Sequence, residues 1–226
     1  MRKLVSLLII GVLTFGLSGL VFAANTPTLN QAINAGTLST DILNGSRVAV
    51  ASPSATMTAK AFSFDCQTGG SASTGTLGST AERQYVLNPN AANNGWTLSI
   101  AATSGATALW TSGGNTFDFN DAGTGGCTDN TSPNDTDGRA GQLTINPNAG
   151  TVLADCVSCT LTGITKGSTA AFVETSANSV TLLTAAAGSD DVWRGYLYGS
   201  TLSQTIPAEQ AAGAYSLNMT ITVAAS

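Results

Sequence analysis

Two stretches of this 226-residue chain hold residue types that could do chemistry. The first runs from Phe117 to Gly138, where Asp118, Asp121, Asp129, Asp135 and Asp137 stand with Asn130 and Asn134 in a glycine-rich segment. Calcium takes clustered hard oxygens from flexible backbone, so this stretch is the candidate cation site, with a plain solvated loop as the alternative. No acidic ligand closes a twelve-residue loop after Gly138, so the order is not that of an EF-hand. The second stretch is Cys156-Val-Ser-Cys159, with Cys66 and Cys127 far upstream. Its spacing fits half a zinc site, but zinc needs a second pair and the chain has no histidine. A thioredoxin-like pair would open a helix, whereas Thr160-Leu-Thr-Gly-Ile follows here. Two structural disulfides are therefore expected, with all three connectivities open.

Other reactive arrangements are scarce. Without histidine, acid–base chemistry at neutral pH needs a tuned carboxylate pair or a lysine. Asp190-Asp191 is an adjacent acidic pair, but neighbours on a strand point to opposite faces and do not converge on one atom. No serine or threonine nucleophile has a plausible base beside it. The expectation is a protein that is not an enzyme and needs no cofactor other than the calcium named above. Trp193, Tyr196 and Tyr198, set among Gly195 and Gly199, are candidates for a surface that stacks on a glycan. Core packing or a contact between subunits would use the same rings.

The elements that must position these residues are strands. From Gly213 to Val223, Tyr215, Leu217, Met219, Ile221 and Val223 take one parity and Ser216, Asn218, Thr220 and Thr222 the other, the pattern of a half-buried strand. Trp96, Leu98 and Ile100 alternate the same way and point inward. Strand patterns also cover Arg47–Ser52, Thr56–Phe64, Glu82–Asn88, Ala108–Ser112, Gln142–Ile145, Ala170–Glu174, Val180–Thr184, Val192–Tyr198 and Thr201–Ile206. Leu29, Gln31 and Ile33 switch parity to Leu38, Thr40 and Ile42 across Gly36, which predicts a bend or bulge. Gln67–Thr80 is Gly/Ser/Thr-rich and predicts a surface loop. Pro207–Gly213 predicts a loop or a single helical turn. About ten strands at short intervals predict an all-β, antiparallel β-sandwich of Greek-key or immunoglobulin-like type. Residues 113–140 predict a loop insertion on it.

Composition narrows the setting. Residues 1–24 carry Arg2 and Lys3, an apolar run from Leu4 to Leu20 and the small-x-small ending Val21-Phe22-Ala23, the pattern of a cleaved signal peptide. Cleavage after Ala23 or Ala24 leaves about 200 residues, enough for one domain spanning 25–226. Removing Arg2 and Lys3 from eight basic residues leaves six against thirteen acidic ones, a formal charge of −7. Such a surface repels nucleic acid and anionic lipid, so neither is an expected partner, and nothing should hold the cleaved chain to a membrane. Because only 9% of residues are charged, small polar side chains must cover the sheets, as on extracellular β-proteins.

Two segments resemble a known family. Asn94-Gly-Trp96-Thr-Leu98-Ser-Ile, after a polar connection, resembles the first Trp-x-Leu motif of WxL surface domains. Ser200 through Ile206-Pro207-Ala, then Ala212-Gly213-Ala-Tyr215 and the alternating strand, is similar to that family's closing pair of strands. Met219-Thr-Ile221-Thr-Val223 stands where the family's second Trp-x-Leu would be expected. The resemblance implies a secreted, non-catalytic β-rich module of a bacterial envelope, adhesive or structural, held non-covalently to a cell-wall component or another surface protein. The Gly-x-Tyr closing strand also looks like pilin and spore-coat-type sandwiches, which implies self-assembly into an extracellular filament by strand donation from a segment such as 25–42, unless that segment forms the first strand of its own sandwich, the expectation preferred here. A glycan-binding module is the third expectation.

Overall fold

In the strand β4 (Trp96–Ala102), Trp96, Leu98, Ile100 and Ala102 are buried and the intervening residues half-exposed. This is the alternation that the sequence dictates. The computed structural model describes residues 31–32, 36–89, 94–129, 138–189 and 192–226. The chain divides into Met1–Asn34 and Ala35–Ser226, and the second unit carries the fold. Residues 1–24, which the sequence reads as a signal peptide, and Leu29, Ile33 and Asp190-Asp191 lie outside the described residues. No described helix is long and apolar enough to cross a membrane.

Around β4 a four-stranded antiparallel sheet forms. The closing strand β14 (Met219–Ala225) pairs with it from Met219↔Ala102 to Ala225↔Trp96. Its inward residues are only half-buried because β14 is an edge. On the other side lies β11 (Ser179–Ala185), followed by β9 (Ile164–Lys166). A register shift between Thr181 and Leu183 explains why the adjacent residues Leu182 and Leu183 are both fully buried, since a bulge sends two neighbours to one face.

Two further four-stranded sheets share a plan. In one, β1 (Ser39–Leu43), β3 (Arg83–Asn88), β12 (Trp193–Tyr198) and β8 (Thr151–Ala154) are neighbours in that order. In the other the order is β10 (Ala170–Ala171), β7 (Leu143–Asn146), β13 (Ser200–Gln204) and β2 (Ser73–Leu77). The chain passes directly from one sheet to the other at β2 to β3, β7 to β8 and β12 to β13, and these strand pairs follow the same order across the two sheets. The corner between β12 and β13 is Gly199 alone, at φ 80°, with its N–H on Leu77 O. A side chain there would carry the strain of the left-handed region. A short hairpin, β5 (Trp110–Ser112) with β6 (Asn115–Phe117), stands beside them. The result is an all-β, antiparallel, sandwich-like fold whose core joins Val86, Leu143, Ile145, Trp193, Leu197 and Leu202 to the inward faces of β4 and β11.

Some expectations are corrected. Arg47–Ser52 and Thr56–Phe64 are not regular strands but make isolated bridges, Leu43↔Ala49 and Met57↔Gly75. Pro53 interrupts them, and Phe62 and Phe64 pack edge-to-face on each other in solvent instead of on the core. The loop predicted for 67–80 contains β2, held between β13 and the Met57 bridge. Within the expected insertion, Phe119 is fully buried against Phe172. The strand β1 pairs with β3 of its own chain from Ser39↔Leu87 to Leu43↔Arg83.

The cysteines pair as Cys66–Cys127 and Cys156–Cys159, consistent with an oxidising compartment. Their entropic weights differ. Closing the 61-residue separation removes roughly 4 kcal/mol of unfolded-state freedom, and closing the three-residue one roughly 2 kcal/mol.

The central position of β4 makes a test. Leu98→Ala should cost about 2–5 kcal/mol in urea unfolding, as a large-to-small change at a fully buried site. Thr222→Ala on the exposed face of β14 should cost less than about 1 kcal/mol.

Candidate functional site: an acidic cluster on a buried segment

The carboxylates begin where β6 ends. Asp118 N–H donates to Arg139 O at 3.1 Å, Asp121 N–H to Gly141 O at 2.9 Å, and Leu143 N–H to Phe119 O at 2.6 Å. Residues 118–121 therefore run as an extra ladder beside the approach to β7. Gly141 is required there, because a Cβ would run into the Asp118 carbonyl. Buried amides hold the same backbone. Gln204 Nε2 donates to Asp118 O at 3.2 Å and Asn120 Nδ2 to Ala106 O at 2.9 Å. Gln142 Nε2 donates to Phe172 O at 3.0 Å, and Glu174 N–H to Asn120 O at 3.0 Å.

After Asp121 the chain turns tightly. Gly126, Cys127 and Thr128 all donate their N–H groups to Gly123 O. Gly126 sits at φ 87°, where a Cβ would meet Gln142 N at 2.7 Å. The Cys66–Cys127 bond ties this turn to the segment before β2. The turn brings Asp129 back onto Asp118 and Asp121, and one oxygen from each of the three lies within 4.8 Å of the others. Asp118 and Asp121 are buried and Asp129 is half-buried.

Twice a calcium–oxygen distance of about 2.4 Å is about 4.8 Å, so three oxygens this close can share one hard cation. Of the five predicted carboxylates the fold gathers these three. Asp135 and Asp137, with Asn130 and Asn134, lie outside the described residues. Gln204, Gln142 and Asn120 were not anticipated. The signal for Gln204 is a polar residue on the inward parity of β13, after the buried Ser200 and Leu202.

The aromatic candidates are corrected. Trp193 is fully buried against Trp96 at 5.3 Å, and its indole N–H donates to Thr160 O at 2.8 Å. Tyr196 is buried between Tyr85 and Tyr198, with the Arg83 guanidinium 4.5 Å over its ring. Only Tyr198 keeps partial exposure, so no stacking platform forms from the three. Rings are needed in the core, because the sheets carry so few other large side chains. Trp96 and Leu98 are inward as expected. Gly213 packs so closely on Ser112 that a Cβ has no room. Tyr215 donates to Ala211 O at 2.7 Å and accepts from Gln210 Nε2 at 2.7 Å.

Beside Tyr215 a cavity of about 450 Å³ opens between residues 55–63 and 206–215, with Trp110, Phe117, Gln204 and Gln210 in its walls. Gln210 Nε2 also donates to Thr116 O at 3.1 Å, which fixes the amide orientation. Its buried Oε1 has no protein donor.

The other concentration of charge is Asp155, at the end of β8. Arg47 donates to its carboxylate at 2.8 Å, Tyr85 Oη at 3.0 Å, and Arg194 Nε stands 3.7 Å away. The Arg47 hydrogen bond, with lesser help from Tyr85 and the two positive charges, holds the Asp155 carboxyl below its ordinary value of 3.8 against the opposing effect of burial. Burial pushes the Tyr85 phenol up.

Comparison with protein-family models, with curated proteins and with solved structures gives no match for this chain.

Two measurements follow. Calcium at millimolar concentration should raise the melting temperature, a chelator should reverse the rise, and Asp121→Asn should abolish the response. A depressed carboxylate pKa contributes stability that is complete above the ordinary value and lost as pH falls through the folded one. Asp155→Asn should therefore melt about 2–4 °C below the parent at pH 7. The gap should close as the pH drops below 3.8.

Proposed function

We propose that this chain is an exported, non-catalytic structural or adhesive module of a bacterial surface, similar in role to WxL domains. The observation that carries the reading is the pairing of the two resembling segments. The strands β4 and β14, distant in sequence, lie side by side, with Leu98 opposite Val223 and Ile100 opposite Ile221. Two disulfides and a sparse charge suit an oxidising exterior. The intramolecular pairing of β1 with β3 supports a self-contained unit over a strand-donating subunit. The cavity beside Gln210 favours a second reading, a glycan-binding module whose ligand sits there and not on Trp193, Tyr196 and Tyr198.

The test is retention of purified chain from Asn25 on intact bacterial cells and on purified cell wall, with light scattering of the free protein. The expected result is a monomer that sediments with cells or wall. A monomer left in both supernatants would sink the surface reading. Concentration-dependent polymers would replace it with filament assembly. Release by soluble wall oligosaccharides, lost in Gln210→Ala, would favour the glycan site.

A further inference from the structure

The loop after β8 carries the second disulfide at its tip. Val157 is fully exposed and Ser158 exposed, while Cys156 and Cys159 are partly exposed. The bond spans three residues, and both of its flanks are fixed without it. On one side Asp155 N–H donates to Arg194 O at 2.7 Å, and Arg194 Nε donates back to Asp155 O at 2.6 Å. Arg47 and Tyr85 hold the Asp155 carboxylate. On the other side Trp193 Nε1 donates to Thr160 O at 2.8 Å, and Thr162 N–H donates to Thr160 Oγ1 at 3.1 Å. Opening the bond leaves these anchors in place.

The two sulfurs are not equivalent. The Arg194 backbone N–H points at Cys159 Sγ from 3.4 Å, and Val192 O lies 3.6 Å from the same sulfur. As a thiolate, Cys159 would accept the N–H; as a thiol, it could donate to the carbonyl. The Arg194 N–H is therefore placed to receive charge that develops on Cys159 Sγ.

We propose that Cys156–Cys159 is a thiol–disulfide exchange site that joins this protein covalently to a cysteine thiol of another protein. The incoming thiol loses its proton to solvent, and its sulfur attacks Cys156 Sγ. A new sulfur–sulfur bond forms as the Cys156–Cys159 bond breaks, and the electron pair of that bond leaves on Cys159 Sγ. Arg194 N–H receives this thiolate, which solvent then protonates. One disulfide replaces another, so no external oxidant enters. The chemistry does not rest on the surface-module reading, and cell retention and thiol exchange are separate measurements.

The experiment uses native full-length mature protein and reduced glutathione as the probe thiol. The reaction is quenched with acid, free thiols are alkylated, and the cysteine peptides are mapped by mass. The expected result is glutathione on Cys156, alkylation of Cys159 and an intact Cys66–Cys127 bond. Opening should be at least about tenfold faster than at Cys66–Cys127 and should speed up with pH as the attacking thiolate fraction grows. A Cys156→Ser, Cys159→Ser double variant should stay folded and melt no more than about 8 °C below the parent. No adduct short of unfolding, glutathione on Cys159, or equal opening of both disulfides would overturn the proposal. Collapse of the double variant would also overturn it, by making the bond a structural staple.

Discussion

Two indole rings from opposite layers, Trp96 of β4 and Trp193 of β12, meet at 5.3 Å with almost no exposure to solvent. A chain with 6% aromatic residues has few side chains large enough to span two sheets. Leu98, Leu182 and Leu197 belong to the same buried cluster. The indole contact also carries order outward. The N–H of Trp193 holds Thr160 O, which fixes the far side of the Cys156–Cys159 loop. With Trp193 and Tyr196 buried in this core, the expected platform of three rings does not form, and the candidate binding features lie in the loops and in the cavity beside Tyr215.

The strands that were legible in sequence are those with large inward side chains in strict alternation. The strands β4 and β14 announce themselves because large apolar side chains alternate with small polar ones along them. β2 does not, since Ser-Thr-Gly-Thr-Leu has almost no apolar contrast. It is a strand because β13 offers a ladder, with Gly75 set close under Thr56 O and Met57. The reverse error at 56–64 has the same origin. Thr56–Phe64 has strand-like composition, but its pairing with β2 is confined to the neighbourhood of the Met57–Gly75 bridge and does not hold the later residues. Alternation reports what a segment could bury, whereas long-range pairing decides whether it does.

The acidic cluster was legible as a local density of aspartates, and its selection was not. Asp118 and Asp121 differ in parity, so a strand alone would separate them. The tight turn on Gly123 and the Cys66–Cys127 bond fold Asp129 back, and neither follows from local spacing. The amides beneath are subtler still. Gln204 is inward on β13 where an apolar residue would pack. It is satisfied there by Trp110 Nε1, Asp118 O and Thr205 O. A buried amide is stable only when such partners coincide, and that coincidence is a property of the fold.

Charge in this protein is sparse, and most of what the fold organises lies next to a disulfide. Cys127 is two residues from Asp129, and Cys156 adjoins Asp155. A carboxylate taken from solvent needs a paired charge or hydrogen-bond donors, and both acidic centres begin just past a strand end, Asp118 after β6 and Asp155 after β8. Loops of small polar residues have little apolar area to hold a fixed shape. A covalent tie supplies that constraint at the Asp118–Asp129 turn, where the hydrogen bonds converge on the single acceptor Gly123 O. At Asp155 the order is inverted. Arg194 holds the Asp155 carbonyl, and Arg47 and Tyr85 its carboxylate, from outside the loop, and the short disulfide restrains less chain than the long one. A bond that constrains less can open with less structural consequence. That difference, more than sequence spacing, separates the two cysteine pairs.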